Sequence, residues 1–184
     1  MKPIGPLMTE HRLIERMLTV MRQEVSSIEV HLRTDPVVVE AMVDFMQFYA
    51  DRTHHGKEEN ILFQELAHKE MASEDQQMMQ GLIKEHEYGR SLTNEMAKAS
   101  ERYMKGEQAA LRDIAAQLRA LIGFYPAHIR REDQTFFPAA MGYLTQDEQD
   151  AMLEEMHEFD RKMIHEKYDA LVEELEKLRM ATLR

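Results

Sequence analysis

One histidine–glutamate pattern occurs twice in this chain, and it constrains the fold more than any other feature. Each copy has one histidine, then a second histidine about 40 positions later, then a glutamate four positions after that. The first copy consists of His11, His54 and Glu58, and the second consists of His86, His128 and Glu132. Residues i and i+4 share one face of an α-helix. The sequence therefore predicts two equivalent helical hairpins, each carrying one H…HxxxE unit.

The placement of helix breakers predicts an entirely helical chain. Five prolines and seven glycines leave long uninterrupted windows, and no segment alternates in the manner of a strand. Thr34 or Asp35, then Ser73 and Thr145, are suited to cap helix starts. The predicted helices span about 6–32, 35–70, 73–104, 107–140 and 145–180. Because the connections are short, the first four form an up-down-up-down four-helix bundle. The fifth is an additional C-terminal helix, expected to pack on the outside of the bundle or on a partner through an apolar stripe of Met152, Met156, Phe159, Met163 and Leu171.

Composition limits the classes of function. A length of 184 residues predicts a single domain, with the bundle at about 6–142. A net charge of -11 argues against nucleic-acid partners, and the lack of cysteine excludes disulfides and thiolate metal sites. The N-terminus lacks the apolar run of a signal peptide, and no segment has 18 consecutive apolar residues. We therefore expect a cytoplasmic protein with no membrane partner.

A bundle that buries several histidines and two glutamates needs a cation. An unpaired buried carboxylate costs several kcal/mol, and a metal ion compensates that cost. Four imidazoles and two carboxylates suit a pair of transition ions, with iron preferred over manganese or zinc. If each glutamate bridges both ions, each ion receives two nitrogens and two oxygens. Even with a bridging oxide, at least one coordination position stays open for a small ligand.

The internal repeat also sets which side chains face inward. Aligning Phe63 with Phe137 places His54 against His128, whereas His55 aligns with Ile129, which cannot bind a metal. His54 and His55 differ in direction by about 100° on an α-helix. We therefore predict that His54 faces the interior. His55 is expected to be exposed, or to support a ligand from outside the coordination sphere.

Further residues near the pattern carry weaker expectations. Glu10 and Glu85 precede the first histidine of each copy and are expected to be surface charges, the alternative being hydrogen bonds to ligand histidines. Gly56 is expected to permit close helix packing. His157 and His165 on the last helix share a face and are expected to be solvated or between helices, with metal ligation as the alternative.

The order H-HxxxE-H-HxxxE resembles the hemerythrin-like, HHE cation-binding family. The segments "EHRLIERML", "HHGKEENILF" and "HIRREDQTFFP" are similar to its helix signatures, and the resemblance covers about residues 6–142. It implies a four-helix bundle around a non-haem di-iron centre that is oxo- and carboxylate-bridged. The implied iron ligands are His11, His54, Glu58, His86, His128 and Glu132, with both glutamates bridging.

Two positions depart from the oxygen-carrying members of that family. Those carriers have a second histidine on the third helix, where this chain has Arg90. They also use a carboxylate five residues after the last histidine, the position of Asp133. We favour Glu132 over Asp133 because the repeat matches Glu132 to Glu58. A more open iron, or a substitute ligand, suits sensing or redox chemistry better than reversible oxygen carriage.

These observations lead to two hypotheses of different class. In the first, the open iron position binds O2, NO or peroxide for sensing, scavenging or redox and iron handling, with no defined enzymatic reaction. In the alternative, the metal is a structural staple, and the acidic C-terminal helix recruits a protein partner or forms a homodimer. A seam on that helix would consist of Leu171, Leu175 and Leu178.

Overall fold

The computed structural model describes the backbone of residues 2–182 and the side chains of residues 2–164 and 167. The chain is 88% helical, and the described backbone contains no strand, so the all-α prediction is confirmed. Five helices follow one another: α1 is Ile4–His31, α2 is 36–66, α3 is Ser73–Met104, α4 is 110–140 and α5 is Gln146–Thr182. In the bundle, α1 and α3 each pack against both α2 and α4.

The helix starts follow the predicted capping chemistry with one exception. The Asp35 carboxylate accepts a hydrogen bond from a backbone N–H of the first turn of α2. Thr145 and Glu148 form a reciprocal pair at α5, with each side chain bonded to the other residue's backbone N–H. Ser73 is already the first helical residue of α3, and Ala72 occupies the cap position without a side-chain hydrogen bond. The predicted cap at Ser73 is therefore wrong by one residue.

Parts of α2 and α4 are wound as π-helix, with i→i+5 hydrogen bonds. These parts are Phe45–His55 and Glu58–Phe63 in α2, and Glu132–Phe136 in α4. Such turns are rare and are frequently found at functional sites. A π-helical segment begins at the glutamate of each HxxxE unit, Glu58 and Glu132, so the repeated sequence pattern has a repeated backbone irregularity. A π-helical turn is wider than an α-helical turn, so it changes which neighbouring side chains can face the bundle interior together.

The apolar core consists of two clusters separated by the histidines and glutamates. On α1, Leu7 belongs to one cluster and Ile14 to the other, with His11 between them. On α3, Leu82 and Leu92 stand on either side of His86 in the same way. Burial of each such leucine or isoleucine contributes about 1.5–3 kcal/mol. The polar centre therefore lies between two apolar layers.

Helix α5 packs on α2 through the predicted apolar stripe. Met152, Met156 and Met163 are buried and Phe159 is half-buried, whereas the predicted Leu171, Leu175 and Leu178 seam lies outside the described side chains. A Cβ added to Gly56 would lie 2.9 Å from the Phe159 Cζ atom. The predicted close packing at Gly56 is thus confirmed. Within residues 2–182, no helix combines the length and apolar character needed to cross a membrane.

Lys57 joins α5 to the bundle by a buried ion pair. Its side chain is fully buried, and its ammonium donates to Asp160 at 2.6 Å and to Glu10. We expect Lys57→Ala to lower the free energy of unfolding by on the order of 3 kcal/mol, because it leaves the part-buried carboxylates of Glu10 and Asp160 without their cation. Denaturant unfolding at fixed metal content measures this. Lys98→Ala, at an exposed position on α3, is the control, and equal midpoints for the two variants would contradict the prediction.

Candidate metal centre

The side chains of both H…HxxxE units meet in the bundle interior. Each is at most 1% exposed, and together they come from all four bundle helices. They are His11 on α1, His54 and Glu58 on α2, His86 on α3, and His128 and Glu132 on α4. Their convergence is observed, whereas their role as metal ligands stays a prediction.

Glu58 presents its two oxygens to two different histidines. Its Oε1 atom lies 3.5 Å from the Nε2 atom of His54, and its Oε2 atom lies 3.4 Å from that of His86. His54 belongs to the first hairpin and His86 to the second. Glu58 therefore reaches across the centre of the bundle.

Glu132 is placed in the same way from the opposite side. Its Oε2 atom lies 3.2 Å from the His11 Nε2 atom, whereas its Oε1 atom lies 3.4 Å from the Nε2 atoms of both His86 and His128. Each glutamate thus has one oxygen toward each pair of imidazoles. This is the arrangement of a carboxylate that bridges two cations.

The spacing of the imidazole nitrogens also fits a cation. The Nε2 atoms of His11 and His54 are 2.9 Å apart. Two nitrogens bound at right angles to one transition ion, at about 2.1 Å each, are separated by about 3 Å. The ligand atoms of His11, His54, Glu58 and Glu132 all lie within 4.8 Å of one another. One ion fits within this group.

Several buried polar atoms of the centre lack hydrogen-bond partners among the described residues. They include both Glu58 oxygens, the Glu132 Oε2 atom, and the Nε2 atoms of His55 and His128. Each unsatisfied buried group costs about 1–3 kcal/mol. Imidazole nitrogens and carboxylate oxygens are ligands of transition ions. The orphaned atoms therefore suit metal coordination.

Carboxylates hold each of the four imidazoles from outside. The Nδ1 atoms bond to these acids over 2.6–2.9 Å. In three pairs the acid lies on the helix before the one that carries its histidine, and in the fourth it lies on α4 and the histidine on α1. The pairs are Glu10 with His54, Glu59 with His86, Glu85 with His128, and Asp133 with His11. Because an ionised carboxylate only accepts, Nδ1 carries a proton, and Nε2 is the nitrogen directed at the interior.

These outer acids correct part of the sequence interpretation. Glu10 and Glu85 are not surface charges as expected, and the alternative of a hydrogen bond to histidine is what the structure shows. Asp133 lies on the outer side of His11, where it also accepts from Arg12. The repeat contained the signal, because Glu59 and Asp133 each directly follow the glutamate of an HxxxE unit.

Comparison with known families agrees with this geometry. The model of the hemerythrin HHE cation binding domain matches residues 2–140. The chain belongs to this family. Uncharacterized proteins of Mycobacterium bovis and Mycobacterium tuberculosis are similar to this HHE protein, each 25% identical over 133 residues, or 72% of the chain. The chain spans about half the length (51%) of these curated relatives, and no solved structure gives a significant match.

Arg90 occupies the position where oxygen-carrying relatives have a histidine, and it lies outside the centre of this HHE domain. Its guanidinium donates to Asp51 and Glu59, both over 2.7 Å. Glu59 is the acid that holds His86, and Asp51 lies 3.4 Å from the Nδ1 atom of His55. Arg90 therefore supports two imidazoles instead of supplying one.

His55 lies inside the HHE domain's polar centre, so the expectation that it is exposed is wrong, whereas the alternative, support of a ligand histidine, stays a prediction. It is 1% exposed, and its ring stacks on that of His86 with centroids 3.9 Å apart. The reason is the π-helical winding of Phe45–His55, which turns adjacent residues through a smaller angle than an α-helix does. His157 is exposed, and the side chain of His165 lies outside the described residues.

The two glutamates of the HHE domain have opposite electrostatic surroundings. Burial and the charge of Glu132 raise the pKa of Glu58 well above its usual range. Burial also raises the pKa of Glu132, but the nearby His128 and His11 outweigh it and lower the pKa overall. Burial lowers the pKa of His54 to about 4. Such divergent values are typical of functional sites.

Burial also acts on His11, with the opposite outcome. Burial alone would lower the pKa of this imidazole, but the nearby carboxylates of Asp133 and Glu132 prevail and raise it to about 9. The same balance, with Glu132 and Glu59, raises the pKa of His86. A divalent ion that binds here displaces the proton held at Nε2. We therefore expect metal binding to this domain to release a proton from His11.

Proposed function

We propose that this hemerythrin-like protein holds two iron ions and binds O2, NO or peroxide at an open iron position. The role would be sensing, scavenging, or redox and iron handling, without a defined enzymatic reaction. The observation that carries the proposal is the placement of the two buried glutamates, each with one oxygen toward either group of imidazoles.

Iron fits the donor set better than its competitors. Imidazole suits zinc, copper, iron and nickel, and hard carboxylates add affinity for iron and manganese. Helix bundles with inward carboxylates and histidines are a recurrent setting for paired iron or manganese. Manganese and zinc are the less favoured occupants. When bound, iron would supply redox chemistry and Lewis acidity that no side chain of this centre has.

The protein's own residues would orient the donors and keep water out. The outer acids fix each imidazole tautomer, and aromatic rings cover two of the imidazoles. Phe63 stacks against His86 at 6.0 Å between centroids, and Phe137 against His11 at 5.8 Å. A cavity of about 100 Å³ borders Arg90 and Tyr125 beside the centre. None of the proposed metal ligands lines this cavity, but its size suits the passage of a diatomic molecule or peroxide.

The proposed place of action is the cytoplasm. A chain without cysteine needs no oxidising compartment, and iron in the reduced state is stable where thiols are kept reduced. A protein partner or a second copy bound through α5 belongs to the same proposal and is secondary to the metal.

The test measures metal content and ligand response together. Wild-type protein purified under air should contain about two irons per chain and show near-ultraviolet bands typical of bridged iron. The reduced protein is then titrated with O2, NO and hydrogen peroxide, and the agent that changes the spectrum stoichiometrically identifies the ligand. Glu58→Ala combined with Glu132→Ala should remove both the iron and the bands. Protein that holds only zinc, or no metal, would contradict the proposal.

A further inference from the structure

We infer that His55 is a metal ligand that completes a three-imidazole set with His86 and His128. The inference rests on the proposed metal centre and adds a residue that the internal repeat does not predict. It also assigns unequal donor sets to the two ions, since His11 and His54 remain as the only histidines of the other group among the described residues.

The first reason is the environment of the His55 ring. Its Nε2 atom is buried and has no hydrogen-bond partner among the described residues, whereas Nδ1 faces Asp51 at 3.4 Å. A buried imidazole with Nδ1 directed at a carboxylate has the arrangement of the four predicted ligands, and His128 shares the unpartnered Nε2 atom as well. An imidazole that served only as packing would leave this nitrogen unsatisfied at a cost.

The second reason is the position of the ring relative to its neighbours. His55, His86 and His128 each offer a nitrogen, and these three nitrogens lie within 4.8 Å of one another. The rings of His55 and His86 are nearly parallel, and that of His128 is at 87° to His55. His86 and His128 both approach the Glu132 Oε1 atom at 3.4 Å. One ion within this group therefore has three nitrogens and a carboxylate within reach.

The third reason is that His55 breaks an otherwise regular repeat. The two hairpins match in their histidines, their glutamates, their outer acids and the stacked Phe63 and Phe137. The equivalent of His55 is Ile129, a buried apolar residue that belongs to the core. The symmetric elements alone provide two imidazoles for each ion. His55 adds a third on one side, and the π-helical winding of α2 permits it to face inward beside His54.

A supporting contact holds His55 in place. Asp51, which faces the His55 Nδ1 atom, also accepts a 2.7 Å hydrogen bond from Arg90. Arg90 stands on α3, one turn after His86. Arg90 thus links Asp51 and Glu59, the carboxylates that face His55 and His86. The third imidazole nitrogen of this ion would come from α2, and not from the Arg90 position on α3.

The decisive experiment separates ligation from ring stacking. His55→Phe keeps an aromatic ring against His86 and removes both nitrogens, and His157→Phe is the exposed control. Anaerobic dialysis against buffered Fe(II) should show that His55→Phe weakens one of the two ions by at least about 10- to 100-fold, the range caused by loss of a supporting partner alone. The Mössbauer spectrum of iron-57 protein should show two doublets in the wild type, one of which is lost or shifted.

A second variant covers the case in which phenylalanine disrupts the fold. His55→Gly leaves space for an added ring, and imidazole should restore the second ion, whereas pyrrole, of similar size but without a free lone pair, should not. Wild-type iron content and spectra retained in His55→Phe would overturn the inference and leave the di-iron proposal standing. If the wild type takes only zinc, the di-iron proposal fails, and zinc content of the same variants still decides the role of His55. A wild type without metal overturns both.

Discussion

Removal of the metal is expected to lower the thermal midpoint of the wild-type protein by on the order of 20 °C. An ion present at 1,000 times its dissociation constant stabilises the folded state by about 4.1 kcal/mol, and two ions by about twice that. For a domain of this size, each kcal/mol changes the midpoint by about 2–4 °C. The effect is expected to be large because the proposed donors of the two ions together come from all four bundle helices, and the unfolded chain does not hold these donors together.

Calorimetry before and after treatment with a chelator measures the difference. The double variant Glu58→Ala with Glu132→Ala is the control, because it lacks both bridging side chains and should respond to the chelator by only a few degrees. A wild-type protein with confirmed metal whose midpoint does not move on chelation would show that the ions are held at the periphery of the fold.

Glu58→Met is expected to abolish tight binding of at least one ion and yet to make the metal-free protein more stable. Glu58 is fully buried, neither of its oxygens has a hydrogen-bond partner among the described residues, and Glu132 lies in the same group of ligand atoms. Methionine has similar length, adapts to irregular space and carries no charge. A buried polar group without a hydrogen-bond partner costs about 1–3 kcal/mol, and methionine removes this cost from the metal-free protein.

Denaturant unfolding of the metal-free proteins, together with metal analysis of the loaded ones, tests both halves of this expectation. Glu65→Met is the matched control, since Glu65 is on the same helix with a side chain that is 39% exposed. The control should keep its metal and its stability. Metal-free Glu58→Met that unfolds more easily than the metal-free wild type would show that the carboxyl group supports the fold by itself.

The sequence was sufficient for the helices and for the residues that meet at the centre, because both depend on local periodicity and on a repeat that can be aligned. It was not sufficient for His55, since α-helical geometry sends adjacent residues in different directions and nothing local marks a π-helical turn. The prediction that Glu10 and Glu85 are surface charges was wrong for a different reason. Each acid directly precedes a predicted ligand histidine on its own helix. It is covered only because a histidine of the neighbouring helix packs against it.

The docking of α5 shows a similar limit. Its methionine stripe predicted an apolar face, but the face that receives it depends on the space above Gly56 and on the charge of Lys57. Neither can be predicted before the π-helical winding of α2 is known. Sequence periodicity therefore predicts that the apolar face of α5 will be buried. The surface on which α5 packs is determined by the assembled bundle.

The four acid–histidine hydrogen bonds run in one direction around the bundle, from α1 to α2, α2 to α3, α3 to α4 and α4 back to α1. Two of these links join the hairpins to each other, and none of them uses the connecting segment at 67–72. A chain cut at this segment would give two halves, each with an incomplete circuit. Their reassembly would depend on the metal, so the architecture lends itself to a split protein whose fragments report the presence of the ion.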